Sequence, residues 1–237
     1  KYIINFGFPI FYSPFSKKRD EEIKKWCSKN KIEFLCEEDM LLSPILSGNS
    51  LNPNSDKPYN VFTPFMKNLK LHSKEISKPN NIKININTNI IDSKYKISLE
   101  DIKKYYIVND KIHVNGKREY GINILKNIKD QKLYNEKRNF LSYSTTNLSA
   151  YINLGLVSIR EVYHTFKNKL GADNSLITEL YWRDFYYNIL YYYAHIVGNS
   201  FNKSYSNIKW NNNKKYFDAW KKLIKSSQFT LGPYVEK

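Results

Sequence analysis

Cysteine is nearly absent: Cys27 and Cys36 are the only two in 237 residues. Their spacing suits neither a metal centre nor a redox pair. This excludes a disulfide-built secreted fold and favours a reducing, intracellular compartment, cytoplasm or nucleus. His72, His113, His164 and His195 are scattered, so each reads as structural or exposed, and no metal cluster, nucleophile triad or phosphate-binding P-loop is written in the chain. There is no secretory leader and no charge-free membrane span, and the chain opens at Lys1 without a Met, which reads as an internal boundary of a longer polypeptide. Acidic residues are also few: 22 Asp+Glu against 38 Lys+Arg leave a net charge of +16. An excess of that size fits a polyanion, either nucleic acid or an anionic membrane. A coding bias toward Lys, Asn, Ile and Tyr gives the same balance with no partner at all.

What the chain does have is aromatic surface, at 16 % of residues, and one stretch around which the rest is organised. Residues 176–196 are apolar at almost every helical phase, with Leu180, Tyr187 and Tyr191 on one side and Tyr181, Phe185, Ile189 and Tyr192 on another. A helix of that kind is buried. It is long enough to cross a bilayer. However, Glu179, Arg183 and Asp184 lie inside it. Each Asp or Arg near a membrane centre costs about 2.5–3.5 kcal/mol, so a soluble core helix is expected. Glu179, Trp182, Arg183 and Tyr186 fall at i, i+3, i+4 and i+7 and share one face. That face offers an acceptor, a π surface, a cation and a phenol. The plain alternative is an i,i+4 Glu179–Arg183 ion pair beside core aromatics.

The remainder divides by composition. Residues 2–6 and 32–36 read as strands flanking a charged amphipathic helix over 17–30, a fragment of a parallel α/β layer. Residues 49–115 read as connection, with one aromatic knot, Tyr59-Asn-Val-Phe-Thr-Pro-Phe65, and a Lys- and Asn-rich stretch over 74–96. Ser98-Leu-Glu-Asp101 and Ser158-Ile-Arg-Glu161 carry capping-box spacing. Helical patterns run over 123–136, from 158 to a stop at Gly171, over the central stretch capped by Asp173 or Asn174, and over 217–224. The expected architecture is an α/β remnant over 1–48, a linker over 49–115 and an all-α unit over 116–237.

Several segments, in order, carry a family resemblance. Glu179-Leu-Tyr-Trp-Arg-Asp-Phe-Tyr186 closely resembles the E-L-x-W-R-[ED]-F-[YF] signature of the photolyase/cryptochrome flavoproteins. Tyr12-Ser-Pro-Phe-Ser-Lys-Lys-Arg-Asp20 resembles a segment near the end of their antenna domain, and residues 59–65 resemble Y-x-V-F-T-P-[FY]. Gly116-Lys-Arg118, with Gly121 at a small position, resembles the entry to the FAD-binding domain. Tyr134-Asn-Glu-Lys-Arg-Asn-Phe140 resembles the segment before the flavin phosphate loop, although Arg138 by itself is a solvated charge. Ser144-Thr-Thr-Asn-Leu-Ser-Ala-Tyr-Ile-Asn-Leu-Gly155 resembles G-T-[ST]-x-L-S-[PA]-Y-[IL]-x-[FL]-G. Ser144 stands where the family has Gly, and Asn147 where it often has Arg or Lys. Hydroxyls before a helix start suit phosphate, and they equally make an ordinary N-cap.

The resemblance implies the end of an antenna α/β domain, a linker and the first part of a helical FAD-binding domain. It implies light-driven repair in which reduced FAD passes an electron to a pyrimidine dimer, which splits and returns it. FAD would be held by Tyr134, Thr145, Thr146, Leu148 and Ser149. The flipped dimer would meet Glu179, Trp182, Arg183 and Tyr186. Trp210, in Trp210-Asn-Asn-Asn213, would be the outer tryptophan of the electron-transfer chain; its duller reading is a lone surface aromatic. Lys203, Lys209, Lys214, Lys215, Lys221, Lys222 and Lys225 face one acid, Asp218, in a surface suited to phosphate or merely to water. After Trp220 the family pattern is echoed only out of register by Thr230, Gly232, Pro233 and Val235. Later flavin-side helices are not recognised, and a second polypeptide supplying them is expected for activity. An antenna chromophore, folate or deazaflavin, is left open. The rival readings are a cryptochrome-like flavin sensor and a non-catalytic DNA-binding remnant.

Overall fold

The protein is described by a computed structural model covering residues 5–46, 49–72, 75–80, 97–105, 109, 111–209 and 211–225. The chain divides into two compact units, Lys1–Ala194 and His195–Lys237.

The first unit opens with strand β1 (Asn5–Pro9), helix α1 (Pro14–Lys29) and strand β2 (Glu33–Glu37). β1 and β2 pair in parallel from Asn5 opposite Glu33 to Pro9 opposite Glu37. Of the strand expected over 2–6, Asn5 and Phe6 lie in β1, and residues 1–4 lie outside the described residues. Helix α1 starts where Ser13 Oγ accepts the Ser16 N–H at 3.1 Å and Pro14 needs no donor partner. It ends at Asn30, and Lys31 turns the chain at φ 57°.

A loop over 38–46 then joins this α/β corner to the helices. The aromatic knot becomes the start of helix α2 (Phe62–His72), with Tyr59, Phe62, Phe65 and Leu69 buried. Short helix α3 (Leu99–Lys103) shows the expected capping box, with Ser98 Oγ accepting from Asp101 N at 3.2 Å and Asp101 Oδ2 from Ser98 N at 2.9 Å. Most of the Lys- and Asn-rich stretch over 74–96 lies outside the described residues.

The helix expected over 123–136 is broken into α4 (Arg118–Lys126), a 3₁₀ turn (Ile128–Gln131) and a single turn, α5 (Tyr134–Lys137). Lys169 captures the carbonyls of Leu125 and Lys126 at 3.1 and 2.9 Å, satisfying the end of α4. Ile128 then turns into the core, 1 % exposed. Helix α6 (Leu148–Asn153) packs on α4 through Gly121, where a Cβ would lie 2.5 Å from Val157 Cγ2 and 3.1 Å from the Tyr151 ring. That spacing explains the small residue.

Helix α7 (Ile159–Leu170) is capped by Ser158 Oγ, which accepts from Arg160 N, and stops at Gly171 with φ 97°. Glu161, the second half of its sequence signal, instead takes both terminal oxygens to Arg118 at 3.1 Å. Helix α8 (Ser175–Tyr192) is capped by Asn174, not Asp173, and ends before the expected position 196. It buries Leu176, Ile177, Leu180, Tyr181, Phe185 and Ile189 against α7 and α2. Burying each such side chain contributes about 1.5–3 kcal/mol, so the first unit is assembled around α8. The α/β corner joins this core through Tyr12, fully buried, whose ring meets Tyr187 and Tyr191 edge-on. In the second unit, helix α9 (Lys214–Lys225) exposes Phe217 and Trp220, stacked at 5.7 Å.

Candidate functional site

The inner and outer sides of α8 differ. Its inner side is apolar except for Asp184 and Asn188, which are 1 % and 0 % exposed. Its outer side carries Glu179, Trp182 and Tyr186, so the helix is open along one line rather than buried all round. Trp182 is half-buried because Phe62 of α2 stacks flat on it, ring centroids 3.6 Å apart and planes 8° from parallel. Tyr186, 63 % exposed, continues the aromatic surface with its centroid 5.7 Å from that of Trp182. The Tyr59–Phe65 segment therefore serves as a backing for Trp182.

Glu179 does not pair with Arg183 as the i,i+4 spacing suggested. Its Oε1 accepts from Arg138 Nη1 at 2.6 Å, a partner at the C-terminal cap of α5 that is 41 residues away. Arg138 is therefore no lone solvated charge; its guanidinium also lies 5.8 Å from the Tyr134 ring centroid. Arg183 leaves the shared face. It donates to the Met40 carbonyl at 2.6 Å and lies 4.9 Å over the Tyr187 ring. The loop after β2 presents the Met40 carbonyl to this side of α8, whereas Arg138 already occupies Glu179.

Arg183 also lines a cleft of about 480 Å³ with Pro9, Phe11, Asp39, Met40 and Arg118. This cleft lies at the carboxyl ends of the two parallel strands, where open α/β sheets bind ligands. Arg160 forms an ion pair with Asp39 on the same rim.

The hydroxyl-rich turn lies at the other end of a run of contacts. From Glu179 the run passes through Arg138 to Tyr134, whose phenol helps to hold the Tyr143 hydroxyl above its ordinary pKa, after desolvation. Tyr143 donates to Gln131 Oε1 at 2.8 Å, and Gln131 Nε2 donates to the Ser144 carbonyl at 3.0 Å. Ser144 thus does without the family glycine, because its carbonyl is held from outside the turn. Beyond it Thr145 and Ser149 are exposed, Thr146 Oγ1 accepts from Leu148 N at 3.3 Å, and Leu148 is buried. Asn147 takes φ 53° and starts α6 without a side-chain cap, and no acidic residue occupies the first turn. An anion brought there meets hydroxyls and amide donors and no competing carboxylate. Trp210 lies outside the described residues.

Residues 176–223 match the model of the FAD binding domain of DNA photolyase. A deoxyribodipyrimidine photo-lyase of Buchnera aphidicola subsp. Baizongia pistaciae is 29 % identical over 230 residues, covering 90 % of this chain and 46 % of that protein. The solved structure of a photolyase from Sulfolobus tokodaii, which holds two FAD molecules, superposes with a TM-score of 0.66 at 27 % identity, over 91 % of this chain and 45 % of that one. The chain is similar to the photolyase/cryptochrome proteins. A class III photolyase from Agrobacterium tumefaciens shares the fold with a TM-score of 0.74 at 21 % identity, over 93 % of this chain and 47 % of that one. The chain thus spans somewhat under half the length of these photolyases.

Three contributions to the candidate site were missing from the sequence reading: Phe62 behind Trp182, the Arg138–Glu179 pair, and the burial of Asp184 and Asn188. The Y-x-V-F-T-P-[FY] segment was visible, but only as a marker of position. The other two depend on contacts distant in sequence. Among the described residues no group of three or more His, Cys, Asp and Glu could hold a metal ion. No described helix is long and apolar enough to cross a membrane.

Proposed function

We propose that this chain takes part in light-dependent repair of pyrimidine dimers, holding FAD at the 144–149 turn and damaged DNA against α8. The observation that carries this reading is the preset pair on α8: Trp182 backed by Phe62, and Glu179 braced by Arg138. A flipped-out pyrimidine dimer needs an apolar wall and a polar group for its base edges, and these two side chains supply them. Thr145, Thr146 and Ser149 supply donors for the pyrophosphate, the Leu148 backbone completes the turn, and Tyr134 flanks it. When bound, reduced FAD supplies a light-driven electron. The chain's own residues bind, orient and exclude water. Arg183, tied to Met40 and Tyr187, supports α8 from the antenna side, and the cleft it lines is the place we assign to an antenna chromophore. Residues 1–48, 49–115 and 116–237 are read as antenna remnant, linker and FAD-binding part.

The decisive experiment mixes the purified chain with FAD, removes free flavin by desalting, and reads the absorption spectrum. Retained flavin, close to one per chain, is the expected result, and blue-light repair of dimer-containing DNA is then measured. A colourless chain overturns FAD binding and leaves the DNA-binding remnant. Repair by this chain alone would remove the need for a second polypeptide.

A further inference from the structure

Helix α8 poses a problem of orientation. An amphipathic helix such as α7 finds its roll from one apolar face, with Ile159, Val162 and Phe166 inward. In α8 apolar and aromatic side chains point in every direction, so burial alone distinguishes poorly between one roll and the next. Yet Glu179 and Trp182 are useful only at one roll, because each successive residue is turned by about 100°.

Directional polar contacts can make the distinction. Asp184 Oδ2 accepts the Ser43 N–H at 2.9 Å, and the Leu42 N–H also donates to this carboxyl. Both amides belong to the loop that follows the α/β corner. Asp184 Oδ1 is 3.8 Å from Arg183 Nη1, too far for a hydrogen bond. Asn188 sits one turn further along the same inner side, fully buried. Asp184 Oδ1, Asn188 Oδ1 and Asn188 Nδ2 have no protein partner among the described residues. Each such group left unsatisfied costs about 1–3 kcal/mol. Two unpartnered acceptors and one donor, buried on residues four apart along one helix side, are the kind of groups that an internal water satisfies.

We propose that Asp184 and Asn188, joined through one internal water molecule, form a polar key that fixes the roll of α8 and makes them positioning residues for Glu179 and Trp182. Trp182 lies two residues before Asp184, about 200° around the helix. Locking the inner side therefore sets the outer one. A roll by one residue brings Phe185 to the Ser43 amide, leaving that donor without its carboxyl, and carries the carboxyl toward the Met40 carbonyl that Arg183 now holds. The key penalises wrong rolls more than it stabilises the right one. Its value for repair rests on the function proposed above; the key itself does not.

The test labels the full chain with 5-fluorotryptophan and identifies the Trp182 resonance by its loss in Trp182→Phe. In the double variant Asp184→Leu/Asn188→Leu, which removes both polar partners together, the fluorine signal of Trp182 is expected to split or broaden, with cooperative unfolding retained. Asp184→Asn keeps an acceptor for Ser43 and is expected to restore one sharp resonance at the wild-type position. A sharp, unshifted Trp182 signal in the folded double variant overturns the proposal. Should that variant not fold, the unaltered protein decides through magnetisation transfer from water to the Asn188 side-chain amide. A long-lived water there supports the key, and none overturns it. Failure of the unaltered chain to bind dimer-containing DNA would remove the proposed function while leaving these readouts intact.

Discussion

The seam around α8 and the stretch from α5 to α6 are built on different terms. Along the seam, large side chains close on one another and the polar groups are caught by the backbone. Glu38 accepts the Tyr12 hydroxyl at 2.8 Å and the N–H groups of Ile45 and Leu46 at 2.8 and 3.0 Å. Asp184 takes the amides of Leu42 and Ser43. Two carboxyl groups thus clasp one loop, Glu38 from its first residue and Asp184 from α8. The α5–α6 stretch has short helices, and Phe140 and Leu141 are 63 % and 98 % exposed. Its order rests on side-chain hydrogen bonds through Gln131 and Tyr143. The surface we propose for damaged bases is therefore preformed, whereas the turn proposed for flavin has donors in place but little packing beneath them.

The comparison breaks first at its strongest point. Replacing fully buried Tyr12 by Ala should lower stability by about 3–5 kcal/mol, read by urea unfolding, because it empties the joint between the α/β corner and α8. Tyr12→Phe, which removes only the bond to Glu38, should cost about 1.5–3 kcal/mol. Equal losses in the two variants would refute the division into packing and hydrogen bonding.

The flavin side has one tight contact of its own. Gly121→Ala puts a methyl against Val157 and Tyr151 and should cost about 1–3 kcal/mol by overpacking. The helix-propensity gain of about 1 kcal/mol offsets only part of this. A stabilised variant would show that α4 shifts freely on α6.

Asp184 gives the seam a pH signature. Burial pushes its carboxyl up to about 7, with the Ser43 amide, the Arg183 guanidinium and the Leu42 amide acting in the opposite direction. The phenols of Tyr12 and Tyr181 also face it, and burial keeps both protonated far into the alkaline range. An unfolded Asp titrates near 3.9. Between about pH 4 and 7 the folded chain holds the extra proton, so this group's contribution to stability falls as pH rises and levels off above 7. Unfolding measured across that range should show the slope in the wild-type protein relative to Asp184→Asn. Parallel curves would place the carboxyl's titration elsewhere.

The smallest stability effects belong to the outer groups. Thr145→Val, at an exposed position, should change stability by less than about 0.5 kcal/mol while reducing FAD retention on desalting. Arg138→Gln should cost at most about 1 kcal/mol, since Arg138 and Glu179 are 41 % and 38 % exposed. Its larger effect should be weaker preference for dimer-containing over undamaged DNA, measured by competition.

Local chemistry was legible where neighbours in sequence decide it. Ser98, Ser158 and Asn174 cap helices because a short side chain reaches an amide two or three residues on. Gly171 ends α7 because the chain there takes a positive φ. The break between α4 and α5 was not legible, because Lys169 closes α4 from another helix. Nor was the direction of Arg183, whose choice between Glu179 and Met40 depends on which loop packs alongside.

Composition and order of segments by themselves determined a basic chain with a small α/β part, a connection and a helical part organised around residues 176–196. The order of motifs carried the family resemblance. Tertiary structure alone decided which way each functional side chain faces. Glu179 finds Arg138 and Trp182 finds Phe62 across long stretches of chain, and Asp184 meets the loop that follows β2. Periodicity places a residue on a helix, but when nearly every phase of that helix is apolar, only its packed neighbours set its roll.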